Sequence, residues 1–218
     1  MEIVSEENPV VFVIDDDASV REALRGLFRS VAIDVRMFGS TQEFLQADWP
    51  DAPGCIVLDV RLPELNGLDF QDHLAKSDIQ LPIIFITGHG DIPMSVRAMK
   101  GGAIEFLTKP FNDRDLLQAV ELGIRRDRDR RKNVLAVTKL RKRLALLSPR
   151  ERKIMAQVVR GLLNKQIAAS LGLSEITIKV HRGRVMHKMG AKSLMELVGM
   201  ADKLGYATGK THSDDTSV

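Results

Sequence analysis

Five short apolar runs alternate with amphipathic stretches in the first 122 residues, and this alternation narrows the folds that the N-terminal half can adopt. The runs are rich in Val, Ile and Phe, as buried strands are. The candidate strands are Val10–Ile14, Val35–Phe38, Cys55–Leu58, Ile83–Thr87 and Ile104–Thr108. Helical periodicity marks the segments near Ala18–Ser30, Thr41–Gln46, Gly67–Ala75 and Pro93–Lys100, and a fifth that starts near Asn112. The pattern predicts a doubly wound α/β domain, in which helices cover both faces of a parallel sheet.

The second half of the chain has the pattern of helices alone. A long helix is predicted over residues 123–147, where no Pro occurs and the only Gly stands at the start. Its apolar residues follow a 3–4–3 spacing, which can form a pairing seam between two helices. They are Val137, Leu140, Leu144 and Leu147. Four shorter helices follow, and their predicted capping residues are Ser148, Asn164, Ser174 and Ser193.

These patterns divide the chain into four parts. We predict an α/β domain over residues 1–122 and a helical linker over residues 123–147, which is also a candidate for dimerisation. An all-α domain is predicted over residues 148–206, and a polar, disordered tail over residues 207–218.

Charge is distributed very unequally between the two halves. Residues 1–122 carry 21 acidic and 10 basic side chains, a net charge of −11. Residues 123–218 carry 8 acidic and 22 basic side chains, a net charge of +14. A basic domain is attracted to polyanions, above all to nucleic acid. The alternative is a solvated helical bundle whose charge only keeps it in solution.

The cysteine content and the hydropathy exclude several classes of protein. The single cysteine, Cys55, allows neither an intrachain disulfide nor a cysteine-rich zinc site. The N-terminus lacks the basic and then apolar pattern of a signal peptide, and no apolar run approaches the roughly 20 residues that span a bilayer. We therefore expect a cytoplasmic protein that does not bind membranes.

Polar side chains follow the ends of four predicted strands. Asp15 and Asp16 follow the first strand, and Asp59 follows the third. Thr87 ends the fourth strand, and Lys109 lies just after the fifth. In a doubly wound sheet these strand ends converge at one edge, where ligands bind. Carboxylate oxygens invite Mg²⁺, and a lysine beside them suits an incoming anion, so the combination indicates phosphoryl transfer to a carboxylate oxygen.

The run of three aspartates also has a simpler interpretation. A solvated turn after a strand often carries an aspartate or serine that caps the next helix, here Asp17 or Ser19. We interpret Asp17 as such a cap and not as a metal ligand.

Four segments of the N-terminal half resemble the receiver domain of response regulators. They are FVIDDD, VLDVRLPELNGLDF, IIFITGHGD and AIEFLTKPF, spaced across Val10–Leu122 as in that family. The resemblance implies a flavodoxin-like sheet of five parallel strands in the order 2-1-3-4-5. It also implies that Asp59 accepts a phosphoryl group from a histidine kinase.

The same resemblance implies a role for each polar residue at the sheet edge. The Mg²⁺ ligands would be Asp15, Asp16, Asp59 and the backbone carbonyl of Arg61. Thr87 would hydrogen-bond the phosphoryl oxygens, and Lys109 would pair with their charge. Phe106 occupies the position of a switch aromatic, whose rotamer changes as Thr87 moves. The Lys109–Pro110 peptide bond is expected to be cis.

In relatives, the surface formed by the fourth helix and the fifth strand mediates dimerisation, here about residues Pro93–Leu107. The candidate contact residues are Met94, Val96, Arg97 and Lys100. The alternative is that these residues merely cover the sheet, as Val96 and Met99 partly must.

The basic half contains a helix, a short turn and a second capped helix, which is the helix-turn-helix pattern. Residues Leu147–Leu204 resemble the LuxR-type (NarL/FixJ) DNA-binding domain, and the two halves together resemble regulators of the FixJ-like subgroup. On a helical wheel, Ile178, Val185 and Met189 form the packed side of the helix Glu175–Met189. The opposite side is predicted to enter the major groove.

The candidate DNA-binding residues lie on or beside that exposed side. They are Lys165, Thr177, Lys179, Val180, His181, Arg182, Gly183 and Arg184. Lys179 and Arg184 suit guanine edges or phosphates, and Val180 suits a thymine methyl. His181 is equally compatible with a position at the edge of the core. Gly183 stands inside a helix despite its cost of about 1 kcal/mol relative to alanine, either for close approach to DNA or as a tolerated surface residue.

Together these features predict a transcriptional regulator and not an enzyme. Phosphorylation of Asp59 would favour receiver dimers, whose paired basic domains bind double-stranded operator DNA and act on RNA polymerase. The alternatives are a phosphorylation-independent regulator with a vestigial receiver and a phosphatase of the haloacid-dehalogenase type. A phosphatase of that type needs its nucleophile on the first strand and a cap domain, and this sequence has neither.

Overall fold

A computed structural model describes residues 8–63, 65–77 and 79–206 of the 218-residue chain. The predicted disordered tail at residues 207–218 lies outside the described residues. The chain divides into two compact units, residues 1–131 and residues 132–218. Each unit is described by itself below.

The first unit contains a parallel sheet whose strands, among the described residues, follow the order β2-β1-β3-β4-β5. The strands are β1 (Val10–Ile14), β2 (Asp34–Phe38), β3 (Gly54–Asp59), β4 (Ile83–Thr87) and β5 (Glu105–Thr108). The strand order reverses beside β1, and this reversal leaves a crevice beyond the carboxyl ends of β1 and β3. The predicted α/β fold and its strand order are confirmed.

Helices flank the sheet as predicted. They are α1 (Ala18–Ser30), α2 (Thr41–Gln46), α3 (Gly67–Leu74), α4 (Ile92–Lys100) and α5 (Asp113–Ala145). Helix α4 begins one residue before the predicted start because the Asp91 carboxylate accepts a hydrogen bond from the Met94 amide and caps it. Helix α5 is longer than its predicted first segment, and the division between the two units falls within it.

Separate hydrophobic cores fill the two faces of the sheet. On one face, Phe12, Phe44 and Phe70 are fully buried together with Ile56 and Leu58 of β3. On the other face, Phe28 of α1 and Leu116 of α5 cover Val11, Val13 and their neighbours. Alternate residues of each central strand thus contribute to opposite cores, which explains the continuous apolar runs in the sequence.

In the second unit, the described residues form the end of α5 and four shorter helices. These are α6 (Pro149–Val159), α7 (Asn164–Leu171), α8 (Glu175–Met189) and α9 (Leu194–Lys203). The predicted capping box is present at α6, where the Ser148 hydroxyl accepts from the Glu151 amide and the Glu151 carboxylate accepts from the Ser148 amide. Gly172, with φ of 64° and ψ of 39°, ends α7 and allows the sharp turn into α8.

One capping prediction in this unit is wrong, and part of the predicted pairing seam is occupied within the unit. Leu147 is buried in the core of this unit and Leu144 packs against it, while the role of the linker in dimerisation stays a prediction. Asn164 is the first residue of α7 and not its cap. The Gln166 side chain instead accepts a hydrogen bond from the Leu163 amide. The Asn164 side chain is therefore available for another partner.

Within the described residues, no helix combines the length and the apolar character that crossing a membrane requires.

Candidate functional site

The carboxyl ends of β1, β3 and β5 bring together two carboxylates and one ammonium group. Asp15 lies just beyond β1, Asp59 is the last residue of β3 and Lys109 follows β5. The Lys109 Nζ lies 2.7 Å from an Asp15 oxygen and 2.9 Å from an Asp59 oxygen. These residues are 94 and 50 positions from Lys109 in the chain, so the sheet topology alone creates the cluster.

Backbone amides hold the second oxygen of each carboxylate. The Asp17 amide donates to Asp15 Oδ1, and the Arg61 amide donates to Asp59 Oδ1, each at 2.9 Å. Asp17 itself accepts hydrogen bonds from the amide and hydroxyl of Ser19 and caps α1, as its sequence position predicts. Both carboxylates are therefore oriented before any ligand arrives.

Burial and ion pairing perturb the site electrostatically. Burial raises the pKa of the Asp15 carboxyl above its ordinary value, although hydrogen bonds from Lys109 and the Asp17 amide oppose the rise. Burial alone would lower the pKa of the Lys109 ammonium, but its hydrogen bonds to Asp15 and Asp59 raise that pKa above the ordinary value. The lysine is therefore held in its cationic form against the carboxylates.

The aspartates also form a candidate metal centre. Carboxylate oxygens of Asp15, Asp16 and Asp59 lie within 4.8 Å of one another. Asp15 is fully buried and Asp16 is exposed, so the cluster is open on one side. Three ionised carboxylates beside one ammonium group would leave a formal charge of −2, which a hard divalent cation with oxygen ligands would balance. The donor set fits such an ion.

Thr87 and Phe106 lie beside this cluster on β4 and β5. The Thr87 hydroxyl is buried and accepts a hydrogen bond of 3.3 Å from the His89 amide. Phe106 is half-buried against Phe85, with ring centroids 6.2 Å apart. A Cβ at Gly90 would lie 2.8 Å from the Phe106 ring and 3.1 Å from the Thr87 methyl group. The loop after β4 thus packs directly onto the predicted switch residues, a contact that the sequence did not reveal.

Two backbone features lie around the cluster, a cis peptide bond and a glycine that packs closely against the end of β3. The Lys109–Pro110 bond is cis, as the family resemblance implies. Gly67 donates its amide to the Val60 carbonyl, and a Cβ there would overlap the Asp59 backbone oxygen. Only glycine lets the start of α3 pack this close to the end of β3.

The predicted dimerisation residues differ in how much surface they offer. Val96 and Lys100 are exposed, whereas Met94 is half-buried against the core of the sheet. Arg97 is exposed but bridges two carboxylates of its own chain at 2.7 Å, those of Asp69 and Asp72 on α3. Met94 and Arg97 therefore offer less to a partner than the sequence indicated.

Helix α8 has the two sides that its periodicity predicts. Ile178, Val185 and Met189 are fully buried in the core of the second unit. On the opposite side Val180 is 49% exposed, and no described atom outside the adjoining turns of α8 lies within 4 Å of the position that a Cβ on Gly183 would occupy. Lys179 and Arg184 are exposed beside them, as is Lys165 at the start of α7.

The three remaining candidates make contacts within the unit. Arg182 donates a hydrogen bond of 3.1 Å to the Asn164 side chain, which ties α8 to the N-terminus of α7. The Thr177 hydroxyl is hydrogen-bonded to that of the capping residue Ser174 at 2.8 Å. His181 is half-buried, and its buried Nδ1 has no hydrogen-bond partner among residues 8–63, 65–77 and 79–206. The position of His181 corresponds to the edge of the core.

Two contacts that orient α8 were not predicted. The Lys188 ammonium lies 2.6 Å from the buried Glu151 carboxylate of α6, and hydrogen bonds from Lys188 and the Ser148 amide lower the pKa of Glu151 to about 2. Arg143 of α5 donates to the Met189 carbonyl at the end of α8, at 3.0 Å. No local pattern signals these pairs, because their members lie 37 and 46 residues apart.

Comparison with known families assigns both units. Residues 11–121 match the response regulator receiver domain, and residues 145–201 match the bacterial regulatory proteins of the luxR family. The two matches thus include both the carboxylate cluster and α8.

Relatives match this chain over most of its length. Nodulation protein W of Bradyrhizobium diazoefficiens is 54% identical over 96% of this chain and 91% of its own length. The response regulator protein TodT of Pseudomonas putida is 44% identical over 92% of this chain and 88% of its own. Among solved structures, the response regulator StyR is similar with a TM-score of 0.78 and 46% identity, covering 90% of this chain and 99% of that one.

The fold and the clustered site define a receiver unit followed by a helix-turn-helix unit. This chain belongs to the response regulators that join a receiver domain to a LuxR-type DNA-binding domain. Family membership makes it a transcriptional regulator whose partners are DNA and a histidine kinase. Receiver domains with such an acidic pocket bind a divalent metal ion, which agrees with the donor set described above.

Proposed function

We propose that phosphorylation of Asp59 controls the binding of this regulator to operator DNA. The observation that carries the proposal is the Lys109 ammonium shared between Asp15 and Asp59 at the open edge of the sheet. A carboxylate oxygen of Asp59 forms a bond to phosphorus while the bond from phosphorus to the kinase histidine breaks. The product is an acyl phosphate, and the kinase histidine is released.

The neighbouring groups of the chain would stabilise the transferred phosphoryl group. Lys109 would move from ion pairing with the carboxylates to pairing with the phosphoryl oxygens, and the Thr87 hydroxyl would donate to one of them. We assign the cation to Mg²⁺, held by Asp15, Asp16, Asp59 and the backbone carbonyl of Arg61. When bound, Mg²⁺ neutralises the charge that builds up on the phosphoryl oxygens.

Phosphorylation would then change the surface of α4 and β5. Thr87 reaches a phosphoryl group only if its backbone moves, and Phe106 packs beside it through the Gly90 loop. We assign a dimer contact to the exposed Val96 and Lys100, with Arg97 and Met94 at its margin. Breaking the Arg97 bridges to α3 would cost little, since exposed ion pairs contribute about 0–1 kcal/mol each.

The dimer would place two copies of α8 in successive major grooves. Lys179, Arg184 and Val180 are assigned to the bases or their adjacent phosphates, and Gly183 permits close approach. Lys165 lies at the N-terminus of α7, and Arg182 of α8 reaches the same place through its hydrogen bond to Asn164. Amides and cations there favour phosphate, and we assign Thr177 and His181 of α8 to further contacts with the DNA backbone. A regulator bound in this way acts on RNA polymerase in the cytoplasm, without chemistry on a substrate of its own.

Phosphodonor labelling of full-length protein tests the proposal. Asp59→Asn is expected to abolish labelling by a small-molecule phosphodonor with Mg²⁺, whereas Asp17→Asn, which alters only a helix cap, is expected to keep it. Labelled wild-type protein is expected to form more dimer in sedimentation and to bind operator DNA more tightly. Labelling that survives Asp59→Asn would contradict the assignment of the acceptor. An unchanged dimer fraction and DNA affinity would favour a vestigial receiver.

A further inference from the structure

Helix α8 exposes a row of apolar positions along the side that faces away from its own core. Ile176 is 78% exposed and Val180 is 49% exposed, although both are large aliphatic residues. Together with Gly183 they stand at i, i+4 and i+7, so they follow one line along the helix. Ile176 belongs to none of the three hydrophobic cores that the described residues form. Its side chain therefore has no evident function in stabilising the folded unit.

The residues around this row indicate what covers it. Lys179 and Arg184 are exposed on either side of the line, about 60–80° around the helix. An apolar protein surface placed on the row would bury these cations without partners, which is costly. The major groove of duplex DNA offers phosphates on both sides and base edges between them. Charge complementarity thus selects DNA as the occupant.

The chemical groups exposed in the major groove determine which of them Ile176 can contact favourably. The base edges exposed there are hydrogen-bond donors and acceptors, and the one apolar group among them is the 5-methyl of thymine. An isoleucine placed against a donor or acceptor would leave that polar group unpaired. Ile176 is the second residue of α8, and the first turns of a recognition helix contact base edges.

We infer that Ile176, together with Val180, determines sequence specificity by packing against thymine methyl groups in each operator half-site. The inference rests on the proposed DNA-binding function and names the part of the base that the apolar row recognises. Gly183 extends the row without a side chain, so the helix can lie close enough for these contacts.

Uracil substitution in operator DNA isolates the methyl group. Duplexes enriched from a random synthetic library by the phosphodonor-treated full chain are resynthesised with uracil at one thymine position at a time. Uracil keeps every hydrogen-bonding atom of thymine and lacks only the 5-methyl. We expect the Kd of the wild type to rise about fourfold for each methyl that is lost, at one or two positions per half-site.

Substitutions in the protein, combined with the uracil duplexes, test which side chain recognises each methyl group. Ile176→Ala is expected to bind equally well to duplexes with thymine or uracil at the base position that Ile176 contacts. Val180→Ala is expected to do the same at the adjacent base position, which Val180 contacts. Lys165→Gln is the matched control, which should weaken binding to both duplexes equally and keep the preference for thymine. Because Ile176 is exposed, Ile176→Ala should leave the unfolding transition unchanged.

The outcomes separate this inference from the proposed function. Enriched duplexes that bind equally well with uracil at every position would overturn the inference alone. A thymine preference that Ile176→Ala and Val180→Ala both retain would also overturn it, because other residues would then recognise the methyl group. Failure to enrich any sequence would overturn sequence-specific DNA binding and this inference with it.

Discussion

The Glu151 carboxylate combines two functions that the sequence shows only in part. It completes the capping box of α6, and it is the buried partner of Lys188 on α8. Two helices of the DNA-binding unit therefore depend on the charge of one residue. Removing one partner of such a pair leaves the other charge uncompensated, which costs more than the net contribution of the intact pair.

We expect Glu151→Gln to lower the free energy of unfolding of this unit by about 2 kcal/mol near pH 7. The folded-state pKa of about 2 lies below the ordinary 4.5, so the stabilisation is complete above pH 4.5. It is lost as the pH falls from 4.5 towards 2. Denaturant unfolding at several pH values, monitored by the absorbance of Tyr206, the single tyrosine, measures this stabilisation.

A second glutamate provides the control for this pH dependence. Glu196 accepts a hydrogen bond from the Lys192 amide at the start of α9, but it is exposed and forms no ion pair with a lysine in the part of the chain that the structure describes. Glu196→Gln should therefore have a much smaller effect at pH 7. Equal losses for the two variants would show that capping, and not the pair with Lys188, accounts for the stability.

At the level of the element, α8 balances helix stability against its fit to DNA. Gly183 lies in the helix interior, and an alanine Cβ there would meet no described atom within 4 Å beyond the adjoining turns of α8. We expect Gly183→Ala to raise the free energy of unfolding by about 0.5–1 kcal/mol. If Gly183 permits close approach to the groove, the same change should lower the affinity for operator DNA.

Gly199 of α9 is the matched control for Gly183. It too lies inside a helix with nothing near the position of its missing Cβ. Gly199→Ala should stabilise the unit to a similar degree and leave DNA binding unchanged in a filter-binding or anisotropy titration. If Gly183→Ala keeps the wild-type affinity for operator DNA, Gly183 is a tolerated surface residue and is not needed for close approach to the groove.

The elements also show which features the sequence could predict. The Lys109 pairing with Asp59 was predictable, because the carboxyl ends of parallel strands must meet at one edge. The Ser148 cap was predictable because its signals lie within four residues. The position of Leu147 in the core of its own unit was not predicted, since periodicity identifies an apolar side but not what covers it. Lys188 was missed for the related reason that its partner is distant in the sequence.

At the scale of the whole molecule, the sequence joins an acidic receiver to a basic DNA-binding unit. The net charges of −11 and +14 nearly cancel, so the total of +3 conceals the polyanion-binding half. Phosphorylation replaces the single negative charge of the Asp59 carboxylate by nearly two on the phosphoryl group, and so adds up to about one negative charge to the half that is already acidic. The electrostatic attraction to DNA must therefore come from the second unit alone.

Salt dependence measures that attraction directly. We expect the logarithm of the DNA-binding constant to fall linearly and steeply with the logarithm of salt concentration, because each neutralised phosphate releases about 0.9 counterion. In a dimer, Lys165→Gln should reduce the slope by about two, one contact for each copy, and weaken binding to all sequences alike. Glu175→Gln, at the first position of α8, should not reduce the slope, since it removes no cation. A slope that is flat in the wild type would contradict phosphate binding by the basic unit, and a slope unchanged in Lys165→Gln would remove that residue from the contacts.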